Sequence, residues 1–444
     1  MLRSTTVHPR RLSSLEIAPV KLTSYPKSAL LSDSLLYPGC QTSVHVFPAA
    51  FPRCPSQVWN PSHENDCPRV TKHVIVQIVA YLGRAKETQE NNEDSRSSRR
   101  EVLWTVAKRY RAKSRTGIVG LTLVFLHGIG ANKETWEPII RGLLHFGLEG
   151  KGVYIQEMWW LDCVQHGDSA LLNEDLLGDV FDWADYSRDV LDFLLHYLPE
   201  EADDPSPTNL PRLPEKVIEE RKLHGFSNRI VIGVGHSSGA CALTETHLGF
   251  LIIQPAIEYP ALFSSIVLIE AMIIPEHLRH KDDHRKFEAA CLERPWIWKS
   301  REEAVSYFKS SRYYRSWSPD MLDHYLNNAL VETHGGMVRL KTHPHFEALM
   351  LFERRVPYEA WELLDRIDQC VYMHWIWGGG SDRTGSVDVK RQTSFRREGN
   401  SSNVFHAAIG HMVSYSLTGR KKHVFNLRSS RRKPRIFLVC RYKV

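Results

Sequence analysis

A serine set between glycines, Gly235-His236-Ser237-Ser238-Gly239, follows directly on the apolar run Arg229 to Val234 and leads into a segment rich in Ala and Leu. A hydroxyl is a weak nucleophile near neutral pH, so acyl chemistry at Ser237 requires a base to take its proton and an acid to orient that base. At average Gly and Ser usage, a bare Gly-x-Ser-x-Gly arises by accident in about one chain in seven of this length. A buried strand before it and a helix after it make the match far more specific, because a sharp strand-to-helix turn is what exposes the serine oxygen, and the flanking glycines permit the close packing. The bland alternative is a glycine-rich turn holding an ordinary serine.

The partners are sought downstream, at the carboxyl ends of later strands. The run Val371 to Trp377 passes into GGGSDRTG, which places Asp382 on a loop, and Asn403 to Ala407 ends in Ile409-Gly410-His411-Met412. Ser237, Asp382 and His411 are therefore the expected nucleophile, acid and base. Glu270, just after the strand Ser264 to Ile269, is the rival acid and ranks behind Asp382. A turn-forming Asp before Arg383 and a solvent-exposed loop histidine are the ordinary readings of those two residues. A tetrahedral intermediate also needs backbone donors for its oxyanion. LVFLHGIGANKETW supplies a strand ending in His127-Gly128, so the N–H groups of Ile129 and Ser238 are the expected oxyanion hole, with His127 structural. The segment containing Asp162, Gln165, His166, Gly167 and Ser169 is expected to shape the pocket rim without taking part in chemistry. The mechanism requires no cofactor and no metal.

The elements that must position these groups follow an alternating rhythm. A first strand is expected within Cys40 to Phe51. Further strands fall near Val102–Lys108, Leu121–Leu126, Val153–Trp159, Arg229–Gly235, Ser264–Ile269, Val371–Trp377 and Asn403–Ala407, with helices over Trp136–Leu144, Asp182–Tyr197 and the residues after Ser237. Short apolar runs alternating with helical patterns indicate an α/β chain with a mostly parallel central sheet and flanking helices. From 274 to 346 the rhythm turns to helices without strands, including Arg301–Ser310 and Pro319–Leu330, as an inserted helical cap would. The chain divides accordingly into an extension at 1–38, expected to be disordered rather than a weak transit peptide, a core at 39–273 and 347–413, the cap, and a basic tail at 414–444. Ala85 to Arg100 is charged and polar and reads as a solvated loop or insertion.

Composition excludes several classes. With 444 residues, 42% of them hydrophobic, the chain can bury a large core. Leu248 to Pro275 is its most apolar stretch, but Gln254, Pro255, Glu258, Pro260 and Glu270 interrupt it, so no membrane span is expected. The eight cysteines show no CxxC pair and no metal-ligand spacing with histidine. Of the net charge of +6, ten Lys or Arg and no acid lie from His411 onward, which leaves −4 for the rest. RSSRRKPR in the tail invites a nucleic-acid reading, yet such a run is ordinarily a solvated tail and no groove-reading module accompanies it. No nucleic-acid partner is expected.

Taken together, VFLHGIGANKETWEPIIRGLL, WLDCVQHGDSALLNEDLLG, GHSSGA, WKSREEAVSYF and WGGGSDRTG resemble fungal α/β-hydrolases of the host-selective toxin biosynthesis group. The resemblance runs from about Cys40 to Val413. It implies an α/β-hydrolase fold, an acyl intermediate or ester as the small-molecule substrate, a pathway to an epoxy-decatrienoic acid of the AK, AF or ACT toxin type, and a peroxisomal setting. The chain departs from that pattern in two places. The connection from Ser237 to Phe263 is longer, occupied by FLIIQPAIEYP, and after Met412-Val413 the chain runs into a basic tail ending Tyr442-Lys443-Val444 in place of a Ser-Lys-Leu-like tripeptide. That tail reads as a divergent or read-through end, and without the tripeptide the alternative location is cytoplasmic.

The expected function is thus a serine-nucleophile esterase or thioesterase. The alternative is a protein of the same fold that binds or scaffolds in the same pathway without turning over. An epoxide hydrolase or dehalogenase is disfavoured, since those enzymes place an Asp at the elbow and here the residue is Ser237.

Overall fold

The computed structural model describes residues 7, 9–10, 12–20, 26, 41–54, 56–58, 71–91, 101–112, 119–148, 154–202, 205–244, 262–278, 284–333, 335–353, 355–380, 384–397, 399–406, 410–412, 424–430 and 433–441. Val, Ile, Leu and Trp runs give the strands β1 (Gln41–Pro48), β2 (Trp104–Arg111), β3 (Leu121–Leu126), β4 (Ile155–Leu161), β5 (Ile230–His236), β6 (Ser265–Ile269), β7 (Ile297–Trp298), β8 (Leu330–Glu332), β9 (Val338–Leu340), β10 (Tyr372–Gly378) and β11 (Ser401–His406). The first six, with β10 and β11, form one eight-stranded sheet in the order β1-β2-β4-β3-β5-β6-β10-β11. β2 pairs antiparallel with both β1 and β4, and every other pairing in this sheet is parallel.

Both faces of the sheet are covered, which is why its central strands read as unbroken apolar runs. Val124, Leu126, Trp159, Val231, Leu268 and Trp375 pack into one core cluster, while Leu123, Phe125, Trp160, Ile232, Val267 and Ile376 pack into a second. Neighbouring residues enter opposite clusters because side chains alternate along a strand. The helices are α1 (Lys72–Asn91), α2 (Glu137–Leu148), α3 (Gly167–Asn173), α4 (Trp183–Asp192), α5 (Glu215–His224), α6 (238–244), α7 (His284–Glu293), α8 (Arg301–Ser310), α9 (Pro319–Ala329), α10 (Pro344–Leu351), α11 (Val356–Leu363) and α12 (Val387–Phe395). None of the described helices is long and apolar enough to cross a membrane.

Several expectations meet a different outcome. The stretch from Ala85 to Asn91 is the last part of α1 rather than a solvated loop. Lys86 lies one turn after buried Leu82 and is itself buried, donating to Glu353 at 3.1 Å and to the Phe181 carbonyl at 3.2 Å. A lysine serving as a core ion-pair partner looks polar in sequence, so the helical stripe was hidden. Part of the expected disordered extension is docked: Arg10 donates twice to Asp182, at 2.7 and 2.8 Å, and the carbonyls of Ser13 and Ser14 accept from Arg188. The cap region contains strands after all, since β7, β9 and β8 form a small sheet of two- and three-residue strands, too short to leave a periodic signal. β4 runs two residues later than expected. In the tail, β12 (Val424–Ser430) and β13 (Lys433–Arg441) pair antiparallel as a hairpin. The long connection FLIIQPAIEYP lies outside the described residues.

Within the region expected as a cap, Trp298, Phe308, Tyr314, Trp317, Met321 and Tyr325 pack together in a separate aromatic cluster. Ala131, from the loop after β3, belongs to this cluster, and Met412 packs against it. This cluster therefore sits directly on the loop after β3 and on the loop that carries His411.

Candidate active site

Ser237 occupies the turn between β5 and α6 with φ +56, a conformation that L-residues rarely adopt. The turn is held on both sides: Ser237 N–H donates to the Ile269 carbonyl at 3.0 Å, and its own carbonyl accepts from Met272 and Cys241 N–H groups at 3.2 Å. Glycine is required at Gly239, where a Cβ would lie 2.5 Å from the Leu126 carbonyl oxygen and 2.6 Å from that of His127. This close approach brings the helix start against the end of β3. It also sets Gly128 beside the nucleophile, since a Cβ there would lie 2.9 Å from Ser237 Cβ.

His411 Nε2 lies 3.1 Å from Ser237 Oγ, and His411 Nδ1 lies 3.0 Å from Glu270 Oε2. Among the described residues, the carboxylate on the imidazole is thus the one at the end of β6. Asp382, the acid ranked first from the sequence, lies outside the described residues. Glu270 shares with Ser237 the distinction of a left-handed φ, here +46, and these two are the only non-glycine residues of that kind among the described residues. Strain of this sort persists where surrounding bonds over-determine it.

Glu270 is fully buried and accepts from four groups. Oε1 takes the Gly378 N–H at 2.7 Å and Lys390 Nζ at 3.0 Å, while Oε2 takes Thr384 Oγ1 at 3.1 Å and His411 Nδ1. Burial by itself raises a carboxyl pKa, but the His411 hydrogen bond and charge, the Lys390 ammonium and the Gly378 N–H outweigh it and hold Glu270 below the usual range. An ionised Glu270 makes Nδ1 the protonated nitrogen, which leaves Nε2 free to accept the Ser237 proton. The arrangement can generate an alkoxide-like nucleophile as the bond to substrate forms.

Two further histidines hold the surroundings. His236, the residue before the nucleophile, donates from Nε2 to the His411 carbonyl at 3.0 Å and so anchors the loop that carries the base. Burial pushes its pKa down to about 3, keeping it neutral. The sequence offered no sign of this contact, which joins residues 175 apart in the chain. His127 is structural, as expected: Nδ1 donates to the Gly128 carbonyl at 2.9 Å and Nε2 accepts from Cys163 N–H at 3.1 Å.

Ile129 and Ser238, the expected oxyanion donors, lie on the loop after β3 and at the first residue of α6, on either side of the Gly128–Ser237 contact. The loop is fixed by the rim segment, which thereby gains a definite purpose. Gly130 N–H donates to His166 Nε2 at 3.2 Å, and buried Lys133 binds Asp162 at 2.9 Å and Asp168 at 2.6 Å. Ser169 Oγ accepts from Val106 N–H at 2.8 Å, and Gln165 donates to the Phe346 carbonyl at 3.1 Å. From the cap side, His324 of α9 meets Glu137 of α2 at 2.9 Å. No group of His, Cys, Asp and Glu among the described residues has the arrangement of a metal site.

A model of the Alpha/beta hydrolase family matches residues 123–416. Over 213 residues the chain is 28% identical to the type I acyl-CoA thioesterase mpaH of Penicillium brevicompactum, covering 47% of this chain and 40% of that one. Over 172 residues it is 31% identical to the peroxisomal membrane protein LPX1 of Saccharomyces cerevisiae, covering 39% of this chain and 35% of that one. The alignments thus span about two-fifths of the length of these curated relatives. The solved structure of the peroxisomal alpha-beta-hydrolase Lpx1 from Saccharomyces cerevisiae is similar in fold, with a TM-score of 0.56 at 17% identity over 85% of this chain and 84% of that chain.

Proposed function

The chain belongs to the alpha/beta hydrolase family, and we propose that it is a serine-nucleophile hydrolase of acyl thioesters or esters, with Ser237 attacking, His411 moving the proton and Glu270 orienting the imidazole. The observation that carries this reading is the continuous line Ser237 Oγ to His411 Nε2 at 3.1 Å and His411 Nδ1 to Glu270 at 3.0 Å, with the serine held on its strained turn.

In the first half-reaction Ser237 Oγ bonds to the acyl carbon as its proton passes to His411 Nε2. The carbonyl oxygen becomes an oxyanion facing the N–H groups of Ile129 and Ser238. When the tetrahedral centre collapses, the bond to the leaving sulfur or oxygen breaks and His411 returns the proton to it. Water repeats the sequence on the acyl-serine and frees the acid. Residues 39–273 and 347–413 act in this reading as the core, and 274–346 as the cap that closes over the acyl chain.

A thioester is favoured over an oxygen ester because relatives at 28% identity are type I acyl-CoA thioesterases. The motifs shared with the toxin biosynthesis group support an epoxy-decatrienoyl chain as the acyl part, and the relative named as a peroxisomal membrane protein supports a peroxisomal association. Initial rates across acyl-CoA thioesters of graded length, with a decatrienoyl thioester included, test both levels. Wild-type protein should release free thiol and Ser237→Ala should lose at least about 10⁴-fold in kcat. A wild type silent on every thioester and ester would instead point to a binding protein of the same fold. A preference for other acyl chains would remove the toxin assignment alone.

A further inference from the structure

The loop after β10 was expected to carry the acid, and its described part and the helix that follows present Glu270 with a hydroxyl, Thr384, and a cation, Lys390. Lys390, from α12, has a side chain only 1% exposed. Its ammonium donates to Glu270 Oε1 at 3.0 Å and to the Gly378 carbonyl at 2.7 Å, with the Trp377 ring 5.7 Å away. A buried carboxyl left alone takes up a proton, and an ammonium hydrogen-bonded to it favours its ionised form.

We propose that Lys390 is a positioning residue for the reaction: it keeps buried Glu270 ionised and fixed beneath His411, and so sets the lower pH edge of activity. The inference rests on the reading of Ser237, His411 and Glu270 as the reacting unit. Among the described residues, the groups that face Glu270 are His411 from the loop after β11, Lys390 from α12, Thr384 from the loop before it and the Gly378 N–H at the end of β10. His236 of β5 stands behind His411, with ring centres 5.2 Å apart. Lys390 is the one permanent cation in this set. Without it Glu270 binds a proton at neutral pH, His411 loses its counter-charge, and activity returns only when the medium is alkaline enough to ionise the carboxyl again.

The test is the pH dependence of kcat/KM for thioester hydrolysis, paired with infrared difference spectra of the carboxylic acid carbonyl stretch. In Lys390→Met the acid limb should move up by about one to three pH units, and a protonated-carboxyl band absent from wild type should appear at pH 7 and vanish in the Glu270→Gln background. Lys390→Arg should bring the limb back toward its wild-type position. Adding Lys390→Met to Glu270→Gln should cause no further loss, since the lysine acts through the glutamate. Lys390→Gln, which keeps a donor for Gly378, serves the same test should the methionine variant not fold. An unmoved limb with no new band, or losses that simply multiply, would overturn the proposal. An inactive wild type in which the band still behaves as stated would refute the reacting unit and leave the Lys390–Glu270 coupling standing.

Discussion

His411 Nδ1 can be oriented by one carboxylate at a time, and among the described residues it meets Glu270 at 3.0 Å. Glu270→Gln should therefore lower kcat by about 10³ to 10⁴, the scale seen when the orienting acid of a triad becomes an amide, whereas Asp382→Asn should cost less than tenfold. Steady-state kinetics on the two purified variants decide between the acids, and the reverse order would return the role to Asp382. Ser237, His411 and the His127-Gly128 pair were legible in the sequence because each carries a local mark: a glycine-framed turn, a strand end, a strand-to-loop glycine. Glu270, named from the sequence but ranked behind Asp382, is marked less plainly. GGGSDRTG advertises a loop at a strand end, while Ile269-Glu270-Ala271 has no turn signal, and its left-handed φ is imposed by tertiary bonds. Lys390 was equally hidden, since a lysine in a polar helix reads as solvent-facing until its ammonium is placed on a buried carboxylate.

At the level of elements, the site depends on the end of β3 and the start of α6 lying in direct contact. Gly239→Ala drives a methyl into the carbonyls of Leu126 and His127, which are backbone atoms of a buried strand end and cannot swing aside. Overpacking of this kind costs about 1 to 3 kcal/mol. The expected result is a Tm lowered by about 1 to 3 °C with hydrolysis abolished, because the shift moves Gly128 and Ile129 relative to Ser237. A variant with wild-type Tm and rate would show that the two elements are not in contact. The strands of the large sheet were readable within a few residues, because burial on both faces writes continuous apolar runs into the sequence. The break in rhythm after 274 was readable but not its detail: β7, β8 and β9 have two or three residues each, and their Trp298, Leu330, Val338 and Leu340 pack into the aromatic cluster.

Across the molecule, burial keeps seven of the described histidines neutral. It pushes the pKa of His45, His127 and His374 down to about 4 and that of His236 and His343 to about 3, and it lowers His166 and His345 as well. Unfolded, each binds a proton near its ordinary pKa of about 6.5. Between that pH and about 4 these rings hold more protons unfolded than folded, so they lower stability as pH falls by up to about 1.4 kcal/mol per histidine per pH unit, against a smaller opposite contribution from buried Asp162 and Asp189, pushed up to about 7 and about 6. Thermal unfolding should show a Tm nearly level from pH 8 to 7 and then dropping steeply between pH 6.5 and 4.5. A flat Tm through that window would mean that these rings are reachable by water in the folded state.

The central claim is that Ser237, activated through His411, carries the acyl group. Brief incubation with an acyl-CoA, acid quench and peptide mapping by mass spectrometry tests it most directly. The account predicts one acylated peptide, spanning Gly235 to Gly239 with the added mass on Ser237, absent in Ser237→Ala and slow to form in Glu270→Gln. Acylation at another residue, or turnover that survives loss of the Ser237 hydroxyl, would contradict it.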